Sequence, residues 1–324
     1  MGGRLRTALG LAVALALLVP ASANADLLYS QVGSGTYAQI SYDFVNPSFD
    51  QNDSQGADDF TVPDGEAWHV DSIDVFGTAL QGSNGTDTAN VFIYGAAGAL
   101  PGPAVFSQAG IQTGAAATNP SSHPEVDFTA PLISAPLLGP GTHWISVQAR
   151  GPYSWAWEIL NGGVHGSPAV WQNPGGGLDP ACKTYTPFHS CPAMPVPASV
   201  GSDFFFRLNG SLIDSRFSLG KFKVKSKKAL TLEGTFPGAG QAIVSDAAGL
   251  PATARAKAKP KKNVKRATVA VGAAGTIKLP VKLTRTATKK LGKGKKVQVR
   301  VNVAFTATGG VAYNQQANVK LVPR

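Results

Sequence analysis

Charge is scarce in this chain: Asp, Glu, Lys and Arg together make up 15% of its 324 residues. No stretch carries apolar residues at a sustained 3.6-residue spacing, so an architecture of amphipathic surface helices is excluded. Cysteine is limited to Cys182 and Cys191. A tetrahedral metal site on that pair would need two further ligands, and His189 is the one neighbour of suitable type. The five histidines (His69, His123, His143, His165, His189) are scattered and form no H-E-x-x-H, so zincin chemistry has no anchor. No G-x-S-x-G places a serine on a nucleophile elbow. A glycosidase needs two facing carboxylates, and sequence alone pairs none. The expectation is a protein that is not an enzyme and carries no obligatory cofactor.

What is plentiful is glycine (37) and proline (23), beside a hydrophobic fraction of 43%. That is enough apolar material for buried cores, interrupted often enough by breakers to favour turn-rich β structure. The length corresponds to about two domains at roughly 100–200 residues each.

The N-terminus reads as a secretory signal. Arg4 and Arg6 form a cationic start, Leu9 to Val19 is an apolar run, and Pro20 breaks it. Ala23-Asn24-Ala25 then offers a small-x-small cleavage site, making Asp26 the expected mature N-terminus. The apolar run is too short to span about 30 Å of hydrocarbon, so no membrane span is expected in the mature chain. The expected location is extracellular. Two thiols nine positions apart in an exported chain are expected to form a disulfide that closes a small loop.

Charge then divides the chain. Residues 26–215 hold seventeen acids against three cations, a net charge of −14. Residues 216–324 hold twenty-four cations against two acids (Glu233, Asp246), a net charge of +22. The acidic part shows short candidate strands at 68–76, 89–94, 143–149, 154–160 and 204–212. Breakers such as Asn84-Gly85, Leu100-Pro101-Gly102-Pro103 and Asn173-Pro174-Gly175-Gly176-Gly177 lie between them. In the basic part Val297, Val299, Val301, Val303 and Phe305 alternate with mostly polar residues. Ile277 to Leu283, Phe222/Val224, Leu230/Leu232, Val269/Val271 and Val319/Leu321 repeat that period of two. The fold class expected is all-β: a jelly-roll-like β-sandwich over 26–215, followed by an immunoglobulin-like β-sandwich over 216–324. Pro280 inside a strand pattern points to an edge or a bulge.

The residues Phe217-Ser-Leu-Gly-Lys221, Gly275-Thr-Ile-Lys-Leu279 and Thr306-Ala-Thr-Gly-Gly310 resemble a lysine-rich immunoglobulin-like module of secreted actinobacterial proteins. The first half resembles a domain of secreted bacterial proteins. It does so through Asp58-Asp59-Phe60-Thr61-Val62-Pro63 with Trp68, His143-Trp144-Ile145-Ser146-Val147, Pro168-Ala-Val-Trp171-Gln-Asn-Pro-Gly-Gly-Gly177 and the cysteine loop. Together the two resemblances cover most of the mature chain. They imply architecture and location, and no activity.

Three groups of residues are candidates for binding. Asp50, Asn52, Asp53, Asp58 and Asp59 form an oxygen-rich run of the ligand type calcium takes. The EF-hand spacing fails there, because Gln55 stands where glycine is required and Thr61 where the closing Glu belongs. The two readings are a calcium loop of another kind and a polar loop leading into a strand. Trp144, Tyr153, Trp155, Trp157 and Trp171 lie within thirty residues. Exposed, such rings stack on sugars; buried, they fill a sandwich, and Trp155 and Trp157 share one strand face and hence one fate. The third group is basic: Arg255, Lys257, Lys259, Lys261, Lys262, Lys265 and Arg266, then Lys289, Lys290, Lys293, Lys295 and Lys296. Patches this dense attract polyanions such as an anionic cell-wall or matrix polymer. No Trp or Tyr lies between Arg216 and Ala312, so sequence-specific nucleic-acid readout is not expected. The competing readings are lysines that block edge aggregation, and a basic domain docked on its own acidic neighbour within a Debye length of about 8 Å.

Overall fold

The computed structural model describes residues 25–79, 88–115, 127–134, 136–151, 154–191, 201–226, 229–247 and 262–323. The signal segment, Tyr153, Arg255, Lys257, Lys259 and Lys261 lie outside the described residues. The chain is an all-β sandwich protein with several antiparallel sheets and two separate apolar cores.

The first core draws on residues between Ile40 and Leu208. One of its sheets runs Asp26–Gln31, Phe206–Asp214, Glu66–Val75, Phe128–Pro131, Gly114–Ala115, with Leu137–Leu138 also on Glu66–Val75. A second runs Thr186–Pro187, Val170–Gln172, Gln55–Val62, Gly141–Gly151, Thr88–Ala96, Pro101–Gln112. Tyr42–Phe44 joins Gly141–Gly151 in parallel. A small third sheet pairs Gly35–Ile40 with Trp155–Leu160 and Gly77–Ala79. The Pro101-Gly102-Pro103 segment, read from sequence as a breaker, begins the Pro101–Gln112 strand instead. That strand is the sheet's edge, where a missing N–H on the free side loses no ladder bond.

Aromatic rings fill the first core. Trp144, Trp155, Trp157 and Trp171 are fully buried, which overturns the sugar-stacking reading for all four. Trp157 stacks on Phe204 at 4.7 Å, and Trp155 meets Phe128 at 5.4 Å. The polar ends of Trp157 and Trp171 are satisfied inside the protein. The Trp157 indole donates to the Phe205 carbonyl and the Trp171 indole to the Ile40 carbonyl, both at 2.6 Å. Trp155 and Trp157 do share a face, and that face is the core. The disulfide between Cys182 and Cys191 forms and is buried at the margin of the same core.

The second core draws on residues between Phe217 and Leu321. Ser218–Ser226, Ala229–Phe236 and Gly275–Lys282 make a three-stranded sheet. Ala267–Val271, Gly240–Asp246, Val297–Ala307 and Ala312–Leu321 make a four-stranded one. Val297, Val299, Val301, Val303 and Phe305 all point inward, as their period of two requires. Pro280 lies on an edge strand. One feature absent from the sequence reading is a short helix, Arg285–Gly292.

The two halves join through three residues, Ser215 to Phe217, between the Phe206–Asp214 and Ser218–Ser226 strands. Every one of them is held. Ser215 donates its N–H to the Gly65 carbonyl at 2.8 Å, and its hydroxyl accepts from the Ala307 N–H at 3.0 Å. Arg216 pairs with Glu66 at 2.6 Å and Asp214 at 2.9 Å. Burial pushes the Asp214 carboxyl up, but its contacts with Arg216 outweigh this and hold it below the usual range. Phe217 sits in the second core beside Phe236 and Phe305, and its carbonyl accepts from Gln315.

Gly65 turns at this join with φ of +83°, and a Cβ there would lie 2.7 Å from the Tyr313 ring. Gly65→Ala therefore meets both backbone strain and overlap across the join. Urea denaturation is expected to show a loss of about 1–3 kcal/mol. An unchanged midpoint would mean that Tyr313 is not packed against this turn.

Candidate functional site

The helix Arg285–Gly292 begins where the Gly275–Lys282 strand ends. Thr284 caps it, its hydroxyl accepting from the Ala287 N–H at 3.3 Å. Ala287 and Leu291 are buried against the second core. Arg285 and Lys289 stand two positions away from that pair, about 200° around the helix axis, and so face solvent. Burial of two small apolar side chains thus aims a row of cations outward.

A second segment meets the helix from elsewhere in the chain. Asp246 ends the Gly240–Asp246 strand, and its carboxylate accepts the N–H groups of Asn263 and Val264. Val264 bridges to Leu283, the Lys265 N–H donates to the Lys282 carbonyl at 2.8 Å, and the Thr284 N–H donates to the Asn263 carbonyl at 2.9 Å. Lys265 is thereby set beside Lys282 and Arg285.

Two open concavities result. One, of about 730 Å³, is lined by Ala229, Lys265, Lys282, Leu283, Arg285, Thr288 and Lys289. The other, of about 470 Å³, is lined by Arg285, Thr286, Lys289, Lys290, Lys293 and Lys295. Arg285 and Lys289 belong to both. Neither wall includes a carboxylate, imidazole, thiol or serine. The two acids of this half are engaged elsewhere: Glu233 pairs with Lys223 at 2.8 Å, and Asp246 holds backbone N–H groups. Among the described residues, no ion pair involves a lining lysine or Arg285.

The sequence-derived basic residues are thus partly united. Lys265, Lys289, Lys290, Lys293 and Lys295 converge; Lys262, Arg266 and Lys296 are exposed nearby but line neither concavity. Sequence reasoning missed Lys282 and Arg285. The signal available for them was the Thr284 cap followed by Ala287 and Leu291 at i, i+4.

The concavities lie far from the acidic half. The helix and the short turn after it lead into the start of the Val297–Ala307 strand, whereas Ala307, at its other end, bonds to Ser215 of the join. Ten strand steps at about 3.3 Å make that separation about 33 Å. This is several Debye lengths at physiological salt.

The calcium candidates do not converge. Asp53 accepts from the Phe44 N–H at 2.8 Å, and the carbonyls of Gln51 and Asp53 accept from the buried Asn173 amide. Asp58 points into the first core, accepting from Gln31 at 2.7 Å and from the Phe204 N–H at 2.6 Å. Asp59, next along the strand, faces the other way and takes the Ser167 N–H. Asp50 and Asn52 sit on the 3₁₀ turn Pro47–Asn52. Among the described residues, the one group with metal-ligand geometry is Asp179 with Cys182 and Cys191, and those two sulfurs are bonded to each other.

The first half does gather buried acid. Burial pushes the Asp58 carboxyl well up, with the Asp203 charge adding to it, and raises Asp59 as well. Asp203 is pushed up to about 6, by burial first and by the Asp59 charge against the opposing His165 N–H bond. A positive charge on the His165 imidazole opposes the rise at Asp203.

The chain matches no family model and no curated protein. Three solved structures align at very low similarity. A β-D-glucuronidase from Dictyoglomus thermophilum aligns at 9% identity and a TM-score of 0.17, over 83% of this chain and 36% of that one. A β-glucuronidase of glycoside hydrolase family 2 aligns at 10% identity and 0.19, over 88% and 26%. The β-glucosidase DesR from Streptomyces venezuelae aligns at 10% and 0.16, over 91% and 50%. The chain therefore spans half or less of each of these, and scores this low carry no functional weight.

The raised Asp203 pKa has a definite sign in stability. The folded state keeps this proton up to about pH 6, whereas the unfolded chain releases it near 3.8. Between those values the native state binds more protons, so this residue's contribution to stability falls as pH rises. Asp203→Asn is expected to flatten that decline. Melting temperatures of wild type and variant from pH 4 to 7.5 should diverge progressively; parallel curves would refute the assignment.

Proposed function

We propose that this chain is a secreted, non-catalytic β protein that attaches to an anionic cell-wall or matrix polymer through its basic C-terminal half. The observation that carries the reading is the cationic end around Arg285–Gly292, which no acid of the described residues neutralises. A domain docked on its acidic neighbour would bring these cations to the join, yet they lie about 33 Å from it by strand length. The concavities hold cations and threonine hydroxyls but no acid–base pair, which suits binding rather than turnover.

The remaining parts of the reading agree with this role. Residues 1–25 serve as a cleaved signal peptide, and a buried disulfide suits an oxidising compartment. The first unit is jelly-roll-like. The second is immunoglobulin-like, supported by its seven antiparallel strands divided three and four.

Attachment by cations displaces counterions, so it must weaken with salt. The chain from Asp26 onward is titrated onto polyphosphate and onto poly-glutamate between 50 and 200 mM NaCl. Affinity is expected to fall on the order of 10³-fold for about five or six displaced counterions. Failure to bind either polymer at 50 mM, or binding indifferent to salt, would overturn the reading.

A further inference from the structure

The attachment reading says nothing about which anion the basic end prefers. Resting on it, we propose that the two concavities form one continuous tract for a phosphate-bearing polymer, with Arg285 as its bidentate anchor.

Three observations lead there. Arg285 and Lys289 are shared walls, so an anion leaving one concavity enters the other without crossing an uncharged gap. Arg285 and Lys289 stand four residues apart on the helix, a rise of about 6 Å along its axis, and Lys293 follows four residues on as the C-cap. The row therefore suits a chain that repeats its charge at short intervals, not a single small anion. The cations also come from different segments of the chain. Lys265 and Lys282 come from two adjoining segments, Arg285 and Lys289 from the helix, and Lys293 and Lys295 from the turn after it.

Cations arranged around an anion favour a tetrahedral group. A phosphate directs its oxygens apart, so the Arg285 guanidinium can take one side while lysines take another. A planar carboxylate turns both oxygens the same way, and one guanidinium fork uses them up. Lysine supplies charge without a fork, so Arg285 is the tract's bidentate contact and the lysines reach the oxygen a phosphate keeps free. Thr286 adds a hydroxyl to the wall beside it. The tract has no competing carboxylate of its own.

The test keeps charge constant while changing shape. Arg285→Lys retains the charge but removes the fork; Lys289→Gln removes a shared charge. Lys278→Gln, on the Gly275–Lys282 strand outside both linings, removes the same charge elsewhere. All three positions are exposed, so melting temperatures should match wild type. The probes are polyphosphate and poly-glutamate at equal charge concentration and 100 mM NaCl.

Wild type is expected to bind polyphosphate about tenfold more tightly than poly-glutamate, and Arg285→Lys to weaken both, because the fork grips either anion. Lys289→Gln should weaken both polymers more than Lys278→Gln does. If Arg285→Lys binds polyphosphate like wild type, or Lys289→Gln is no worse than Lys278→Gln, the tract is wrong although the attachment reading stands. If wild type binds neither polymer, both fall together.

Discussion

The position of the cations in the second half depends on the Asp246 carboxylate. It accepts two consecutive backbone N–H groups, those of Asn263 and Val264. Val264 is thereby brought to Leu283, and Asn263 to Thr284. Thr284 in turn starts the helix. That acid lies in a segment crowded with lysine. It organises backbone, and the lysines it brings together remain without an ion-pair partner among the described residues. A carboxylate holding backbone N–H groups inside a protein is a stronger device than an exposed pair, which is worth about 0–1 kcal/mol.

The two halves solve opposite electrostatic problems. The first is rich in acid and buries several carboxylates, with Asp58 and Asp59 answered by backbone or amide donors and Glu66 by Arg216. Asp58 receives Gln31, the Phe204 N–H and the Asp59 N–H. Burial without a counter-charge is why its pKa rises. The second half buries almost no charge and carries its excess outside, over a core of Val, Leu and Phe. The join between them contains both signs, with Arg216 between Glu66 and Asp214. Glu66 also accepts the Trp68 indole N–H at 2.8 Å, so the ion pair is fixed to the first core and not merely laid on the surface.

Much of the fold was legible in period-two patterns. The Val297–Ala307 strand is the clearest case, because its inner face is uninterrupted by polar residues. Gly240–Asp246 was not read, since only Ala242, Ile243 and Val244 are apolar there and a glycine opens it. The helix was hidden for a similar reason: eight residues with two buried positions give no sustained period. The fate of the tryptophans was open because alternation assigns rings to a face but does not say which face another sheet covers. Lys265, Lys289, Lys290, Lys293 and Lys295 were visible as charge runs. Lys282 and Arg285 became members of the same site only through the long-range pairing of Val264 with Leu283, which no local pattern encodes.

The join and the charge division together determine how the molecule would meet a polyanion. Ser215 to Phe217 is too short and too well bonded to act as a flexible linker. The Val297–Ala307 strand therefore acts as a spacer of about 33 Å, with cations at one end and the acidic half beyond the other. Near an anionic polymer the acidic half is repelled and the cationic end attracted, so approach is steered end-on. At physiological salt the acidic half lies too far away to weaken that attraction, given a Debye length of about 8 Å. A flexible linker would let the −14 half fold back onto the +22 half and compete with the polymer. A short, bonded join would prevent that competition, so under the proposed attachment the packing of Gly65 against Tyr313 would bear on binding as well as on stability.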